Sequence, residues 1–148
     1  MAQSVITERE LRLFACDRPE LNTLVDNVRF TPEDIEQACI NVVDYFNIIP
    51  PPNNHAYTVE TFPSRALLAL GTWGWLLRGA AIGEASNELE YSATGIQVND
   101  RSKAQIFTSL GQTFWEEFKE LAQGIKLTQS INKVYGVKNS EYFSLNRR

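Results

Sequence analysis

Residues that do chemistry are scarce in this chain of 148 residues, which holds one histidine, two cysteines and one methionine. With a single imidazole and no CxxC pair, the donor set of a structural zinc site is not present in any familiar spacing, and no metal site is expected. A Ser-His-Asp or Cys-His mechanism would have to run through His55. That residue lies in Pro50-Pro51-Pro52-Asn53-Asn54-His55-Ala56-Tyr57, a polar loop led by prolines, and reads as a surface or interface histidine. No GxGxxG, P-loop or HExxH run occurs, so no phosphate cradle or zincin motif is announced and no cofactor is expected. Glu116 and Glu117 are chain neighbours and read as the solvated edge of a helix, not as a catalytic pair. Cys16 and Cys39 sit among apolar neighbours and read as two buried thiols in a reducing compartment.

A basic footprint is missing as well. Fourteen Lys and Arg stand against 18 Asp and Glu, for a net charge of −4, a poor match to a protein that reads nucleic-acid sequence. The start of the chain shows no basic cluster followed by an apolar run, so no secretory leader is read there. The longest greasy stretch, Ala66 to Leu77, meets Arg78 and is shorter than a membrane span; it reads as a buried helix, and no membrane partner is expected. Two glycine spacings in the window Ala66 to Gly83, Gly71/Gly74 and Gly79/Gly83, point to close helix packing.

Apolar residues are plentiful at 43%, with 11% aromatic. That supports one globular domain of mainly α class. Thr7 through Glu10 form a capping box for a short helix ending near Ala15. Asp17-Arg18-Pro19-Glu20 begins another helical turn carrying Leu21, Leu24 and Val25. Thr31-Pro32-Glu33-Asp34 supplies an N-cap, a first-turn proline and acidic residues at the positive end of the dipole. Ile35, Ala38, Cys39, Val42, Val43 and Phe46 then recur with helical spacing and define one buried face. Residues 47 to 63 cannot extend that helix. Tyr57 to Phe62 alternates as a short strand would, and so long a connection suits a functional or interface segment.

A third helix starts at Pro63-Ser64. It is apolar on nearly every side, which requires burial on every side, by other helices or by another subunit. Asn87 to Asn99 then reads as a projecting β-hairpin, about residues 87–99, with Leu89, Tyr91, Ile96 and Val98 on one face. Two strands alone are marginal in water and need a partner surface. The last helix is read from about Asp100 to Ile125, about 38 Å long, with Phe107, Leu110, Phe114, Phe118, Leu121 and Ile125 as its apolar stripe, widened by Ile106, Trp115 and Ala122, and with Glu116, Lys119 and Glu120 opposite.

From Lys126 onward the character changes. Residues 126–148 hold five cations against one carboxylate, so the first 125 residues carry a net −8 and the remainder +4. Residues 1–125 are thus expected to form one helical domain with an inserted hairpin, and residues 126–148 an extended arm. Lys133, Tyr135, Lys138, Tyr142, Phe143, Arg147 and Arg148 are its candidate contacts: aromatic side chains anchor and charges orient. Elements that cannot bury themselves within one copy are completed by neighbouring subunits.

Two stretches carry a resemblance. Phe30-Thr31-Pro32-Glu33-Asp34-Ile35-Glu36, with Val43-Asp44-Tyr45-Phe46-Asn47 and Pro50-Pro51, resembles the opening helix of small virion proteins of tailed bacteriophages. Glu88-Leu89-Glu90-Tyr91-Ser92-Ala93-Thr94-Gly95-Ile96-Gln97-Val98, followed by a long helix, is similar to a hairpin-and-helix pattern in the same group. The resemblance is to neck proteins, the head–tail connectors or adaptors beneath the portal, and spans residues 30 to 125. It implies a non-enzymatic virion component assembled in the host cytoplasm. It further implies a homo-oligomeric ring, commonly twelve-fold, that binds the portal protein and downstream tail or neck proteins. DNA would pass through without sequence-specific binding, and an acidic wall keeps its grip on phosphates weak. Another tail-completion or baseplate component remains an alternative, as does a small cytosolic ligand-binding domain or enzyme built around His55, Tyr57 and Trp73.

Overall fold

Among the described residues, four helices account for nearly all the regular structure: α1 Glu8–Ala15, α2 Pro32–Ile48, α3 Arg65–Ser86 and α4 Arg101–Tyr135. The computed structural model describes residues 6–20, 28–52, 55–86, 91–93, 96–98 and 101–135; at 91–93, 96–98, 101–102 and 134–135 it describes the backbone. The chain is mainly helical. Between α3 and α4, β1 (Tyr91–Ala93) pairs antiparallel with β2 (Ile96–Val98), Tyr91 opposite Val98 and Ala93 opposite Ile96. Residues 87–90, 94–95 and 99–100, which would make the expected hairpin a projecting element, lie outside the described residues, as do residues 21–27.

Local signals set the helix starts. Thr7 opens α1: its hydroxyl accepts from the Glu10 N–H at 3.3 Å, and the Glu10 carboxylate accepts from the Thr7 N–H at 2.8 Å. These reciprocal bonds satisfy donors that have no partner inside the helix. Thr31 and Asp34 repeat the device at the start of α2, with Pro32 in the first turn. The Ser64 hydroxyl accepts from the Leu67 N–H at the start of α3. Cys16 ends α1 in a left-handed conformation, φ 55°. This corrects the reading of two buried thiols: Cys39 is buried, but Cys16, placed past the last helical turn, is exposed, and both are free.

The core lies where α2 and α4 pack against the first half of α3, with α1 closing one side. Ile35, Ala38, Cys39, Val42, Val43 and Phe46 are all buried, as the spacing of α2 predicts. Every residue of α3 from Leu67 to Gly74 is buried. The expectation of burial all round holds for that half alone: beyond it Trp75 is 39% exposed and Ile82 71%. By length and composition α3 could cross a membrane, yet 56% of its apolar window is buried inside the protein.

α3 and α4 run antiparallel, and glycine sets their separation. A Cβ on Gly71 would stand 2.6 Å from Val42 Cγ1 and 2.8 Å from Phe118 Cδ2; one on Gly74 would stand 3.0 Å from the Trp115 backbone nitrogen. At Gly71 the buried Val42 and Phe118 side chains, and at Gly74 the Trp115 backbone, leave no room for a side chain. Gly79 and Gly83 have no such neighbour within 4 Å, so the packing inferred from their spacing is corrected.

Two expectations for α4 also change. Its buried side is Ala104, Gly111, Trp115, Phe118, Ala122 and Lys126, whereas Leu110 and Leu121 from the expected stripe are exposed. Small residues admit α3 at close range, so the inner face is rotated away from the stripe with the largest side chains. Second, α4 continues ten residues past Ile125, to Tyr135. No proline or glycine follows Lys126 before Gly136, and Lys126 is itself an inward-facing residue of the helix. The arm expected from 126 therefore begins as helix; residues 136–148 lie outside the described residues.

Lys126 is 1% exposed. Its ammonium donates to the carbonyls of Asn47 at 2.9 Å and Ile49 at 2.6 Å, and lies 5.2 Å from the centre of the Phe46 ring. A cation thus closes the carbonyl end of α2, where the dipole favours positive charge. The connection after α2 is then folded back by Asn47, whose side chain donates to the Tyr57 carbonyl and accepts from the Tyr57 N–H, both at 2.9 Å. No strand forms over 57–62, which corrects the alternation seen there. Thr58 and Thr61 instead close a turn through hydroxyl and backbone bonds, a local option that threonine offers in place of a ladder.

Candidate interaction surfaces

Three regions of the surface have a composition beyond that of a solvated exterior. The first is a groove of about 660 Å³ between α1, the outer flank of α2 and residues 57–60. Its floor is apolar: Leu11, Ile35, Cys39 and Val43 are buried at its base, and Ile40, Tyr57 and Val59 stand along its sides. Its rim is acidic, with Glu8, Glu36, Asp44 and Glu60, and no Lys, Arg or His lines it. Glu8 is paired with Arg12 at 2.7 Å. Glu36, Asp44 and Glu60 have no ion-pair partner among the described residues.

The one thiol in that groove is held protonated. Burial pushes the Cys39 pKa up, and the nearby Glu36 charge adds to the rise; a hydrogen bond with the Thr72 hydroxyl at 3.4 Å opposes it in part. A thiol of this kind is a small hydrophobe and a poor nucleophile. Among the described residues, no group of three or more His, Cys, Asp or Glu is placed to hold a metal ion. What the groove offers is shape, an apolar floor and negative charge.

The second region is the outer side of α4. Ile106, Leu110, Leu121, Leu127 and Ile131 are between 44% and 56% exposed. They span 25 residue steps, about 38 Å of helix. Phe14, itself half exposed, meets Phe114 at 6.0 Å at the edge of this surface. The third region is the open end of α3, where Ile82 stands beside Gly79 and Gly83.

The residues singled out from the pattern fare unevenly. Lys133 is exposed in the last turn of α4, and the Tyr135 backbone ends that helix. Tyr91, Ile96 and Val98 lie in the paired strands. Leu89, Lys138, Tyr142, Phe143, Arg147 and Arg148 lie outside the described residues. His55 and Tyr57 are together, with rings 5.1 Å apart and edge-on, but Trp73 does not join them. Its indole N–H donates to the Leu11 carbonyl at 2.8 Å and its ring packs on Phe30 inside the core. The alternative built on His55, Tyr57 and Trp73 therefore loses its third member. The acidic groove was missed because Glu8, Glu36, Asp44 and Glu60 are scattered over three segments, and only the Asn47 clamp brings the third beside α2.

No protein-family model, curated protein or solved structure matches the chain.

Proposed function

We propose that this protein is a non-enzymatic structural component of a tailed-bacteriophage neck, forming a ring between portal and tail through which DNA passes. The observation that carries the assembly part of this reading is the outer side of α4. Five large apolar side chains standing in water along about 38 Å of one helix form the kind of surface that another protein covers. The resemblance over residues 30–125 supplies the class of assembly. In this reading the strand pair at 91–98 and the segment beyond Tyr135 are further contacts, with Leu89, Tyr91, Ile96 and Val98 on the former and Lys138, Tyr142, Phe143, Arg147 and Arg148 on the latter. The acidic body keeps passing DNA from binding tightly.

The test is direct. The full chain is mixed with the portal protein encoded in the same genome and followed by mass photometry and electron microscopy. Ring-shaped complexes containing both proteins are expected. Glu at positions 110 and 121 (Leu110→Glu with Leu121→Glu) is expected to abolish them while leaving the far-UV circular dichroism unchanged. A chain that stays monomeric and ignores the portal overturns the proposal. Portal, terminase and capsid genes beside its reading frame are the expected genomic setting.

A further inference from the structure

The acidic groove is not used by the contacts above, and its chemistry specifies an occupant. It presents an apolar floor at Leu11, Ile35 and Val43 beneath three carboxylates, Glu36, Asp44 and Glu60, that no described cation neutralises. A neutral greasy ligand would leave those charges unanswered, and an anion would be repelled. The complementary ligand is a peptide with aromatic or aliphatic side chains between cations. Residues 136–148 of this chain have that composition: Tyr142, Phe143 and Leu145 stand between Lys138 on one side and Arg147 and Arg148 on the other, with Glu141 the one carboxylate. The volume, about 660 Å³, falls within the range of sites that enclose a compact ligand.

We propose that this groove receives residues 136–148 of a second copy of the chain. Direction favours a second copy over the same one. Lys126 is bonded to the end of α2 at Asn47 and Ile49, and α4 runs nine residues further to Tyr135, about 14 Å beyond that point. The segment therefore starts beyond the carbonyl end of α2 and would have to double back to enter its own groove, whose near edge at Asp44 and residues 57–60 lies beside that end, whereas a neighbouring copy can receive it without reversal; the isotope pairing below separates the two. Thirteen residues reach at most about 45 Å when extended, enough to span to a neighbouring subunit. The contact is heterologous, with one end of each copy given to the groove of the next. Such a contact closes into a ring when the rotation allows it. The inference deepens the neck reading by naming the contact between subunits.

The experiment uses the full chain with benzoylphenylalanine in place of Tyr142. Light and ¹⁵N-labelled chains are mixed in equal amounts, irradiated and digested, and crosslinked peptides are identified by mass spectrometry. Crosslinks are expected to peptides containing Ile35–Asp44 or residues 57–60, with mixed light–heavy pairs as frequent as same-isotope pairs. Glu36→Lys with Asp44→Lys is expected to lower their yield at least tenfold, and adding Arg147→Glu with Arg148→Glu to restore it. Glu36 and Asp44 are exposed, and an unchanged thermal transition checks that the fold survives. Crosslinks confined to same-isotope pairs, crosslinks elsewhere, or none would overturn the docking. If portal rings form without these crosslinks, the docking falls and the neck reading stands. If the crosslinks form while the portal is ignored, the docking stands and the neck reading falls.

Discussion

The two halves of α3 are written in the same alphabet, and each carries a pair of closely spaced glycines. From Leu67 to Gly74 every residue is buried, and Gly71 and Gly74 admit Val42, Phe118 and the Trp115 backbone to within about 3 Å of where a side chain would begin. From Trp75 onward, Ile82 stands 71% exposed and Gly79 and Gly83 face open space. Composition therefore does not tell a contact glycine from an idle one. The opposing helix decides: α2 and α4 close on Gly71 and Gly74, and past them α4 meets Leu77 and Arg78 at Gly111 but leaves Gly79 and Gly83 without a neighbour within 4 Å. The enclosed half holds the molecule together; the open half is left available.

The largest test of that contrast is Phe118→Ala, which empties the site beside Gly71. It should cost about 3–5 kcal/mol, as large-to-small changes of a buried aromatic do, read from the midpoint of urea unfolding. Ile82→Ala on the open half should stay within about 0.5 kcal/mol; an equal loss from both would dissolve the distinction. Next is Lys126→Ala, at the enclosed end. Leaving the Asn47 and Ile49 carbonyls buried without a donor should cost about 2–4 kcal/mol, visible in the same titration.

Gly74→Val should cost about 1–3 kcal/mol, because the Trp115 backbone cannot yield as a flexible side chain would. Gly79→Ala, five residues on, should instead stabilise by about 0.5–1 kcal/mol, the ordinary gain of alanine over glycine in an open helix. Opposite signs in thermal unfolding of these two variants are the sharpest form of the comparison.

The smallest effect concerns α1, whose Leu11 carbonyl accepts the Trp73 indole on the enclosed side. The Thr7 backbone N–H, and then its hydroxyl, hold the Glu10 carboxyl below the usual range. A carboxyl with a lowered folded value contributes stability that is fully present above its unfolded value and fades as pH falls through the folded one. Between those limits the chain should lose slightly more stability on acidification than Glu10→Gln does, measured by thermal unfolding across pH 3 to 6.

Much of this fold could be read from single residues. The caps at Thr7 and Thr31 and the buried face of α2 follow from local chemistry and a 3.6-residue period, and both need only the chain's own neighbours. α4 was legible as a helix but not in its orientation. Trp115 and Ala122, read as the margin of the stripe, are buried as expected, but the period is detected through large apolar residues, Leu110 and Leu121 among them, while a helix packed at glycine distance turns small residues inward, at Ala104 and Gly111. Lys126 was misread for a related reason: a buried ammonium makes sense only once the carbonyl end of α2 has arrived beside it. The acidic groove, assembled from three separate segments, has no local signature either. What stayed hidden in each case was a relation between distant parts of the chain.

Lys126 also imposes an order of events. The two carbonyls it serves belong to residues made 77 and 79 positions earlier. On the ribosome, the end of α2 must rely on water until most of α4 has emerged, since no nearer residue supplies that ammonium. A chain cut before codon 126 therefore leaves those two carbonyls without the donor that this structure gives them.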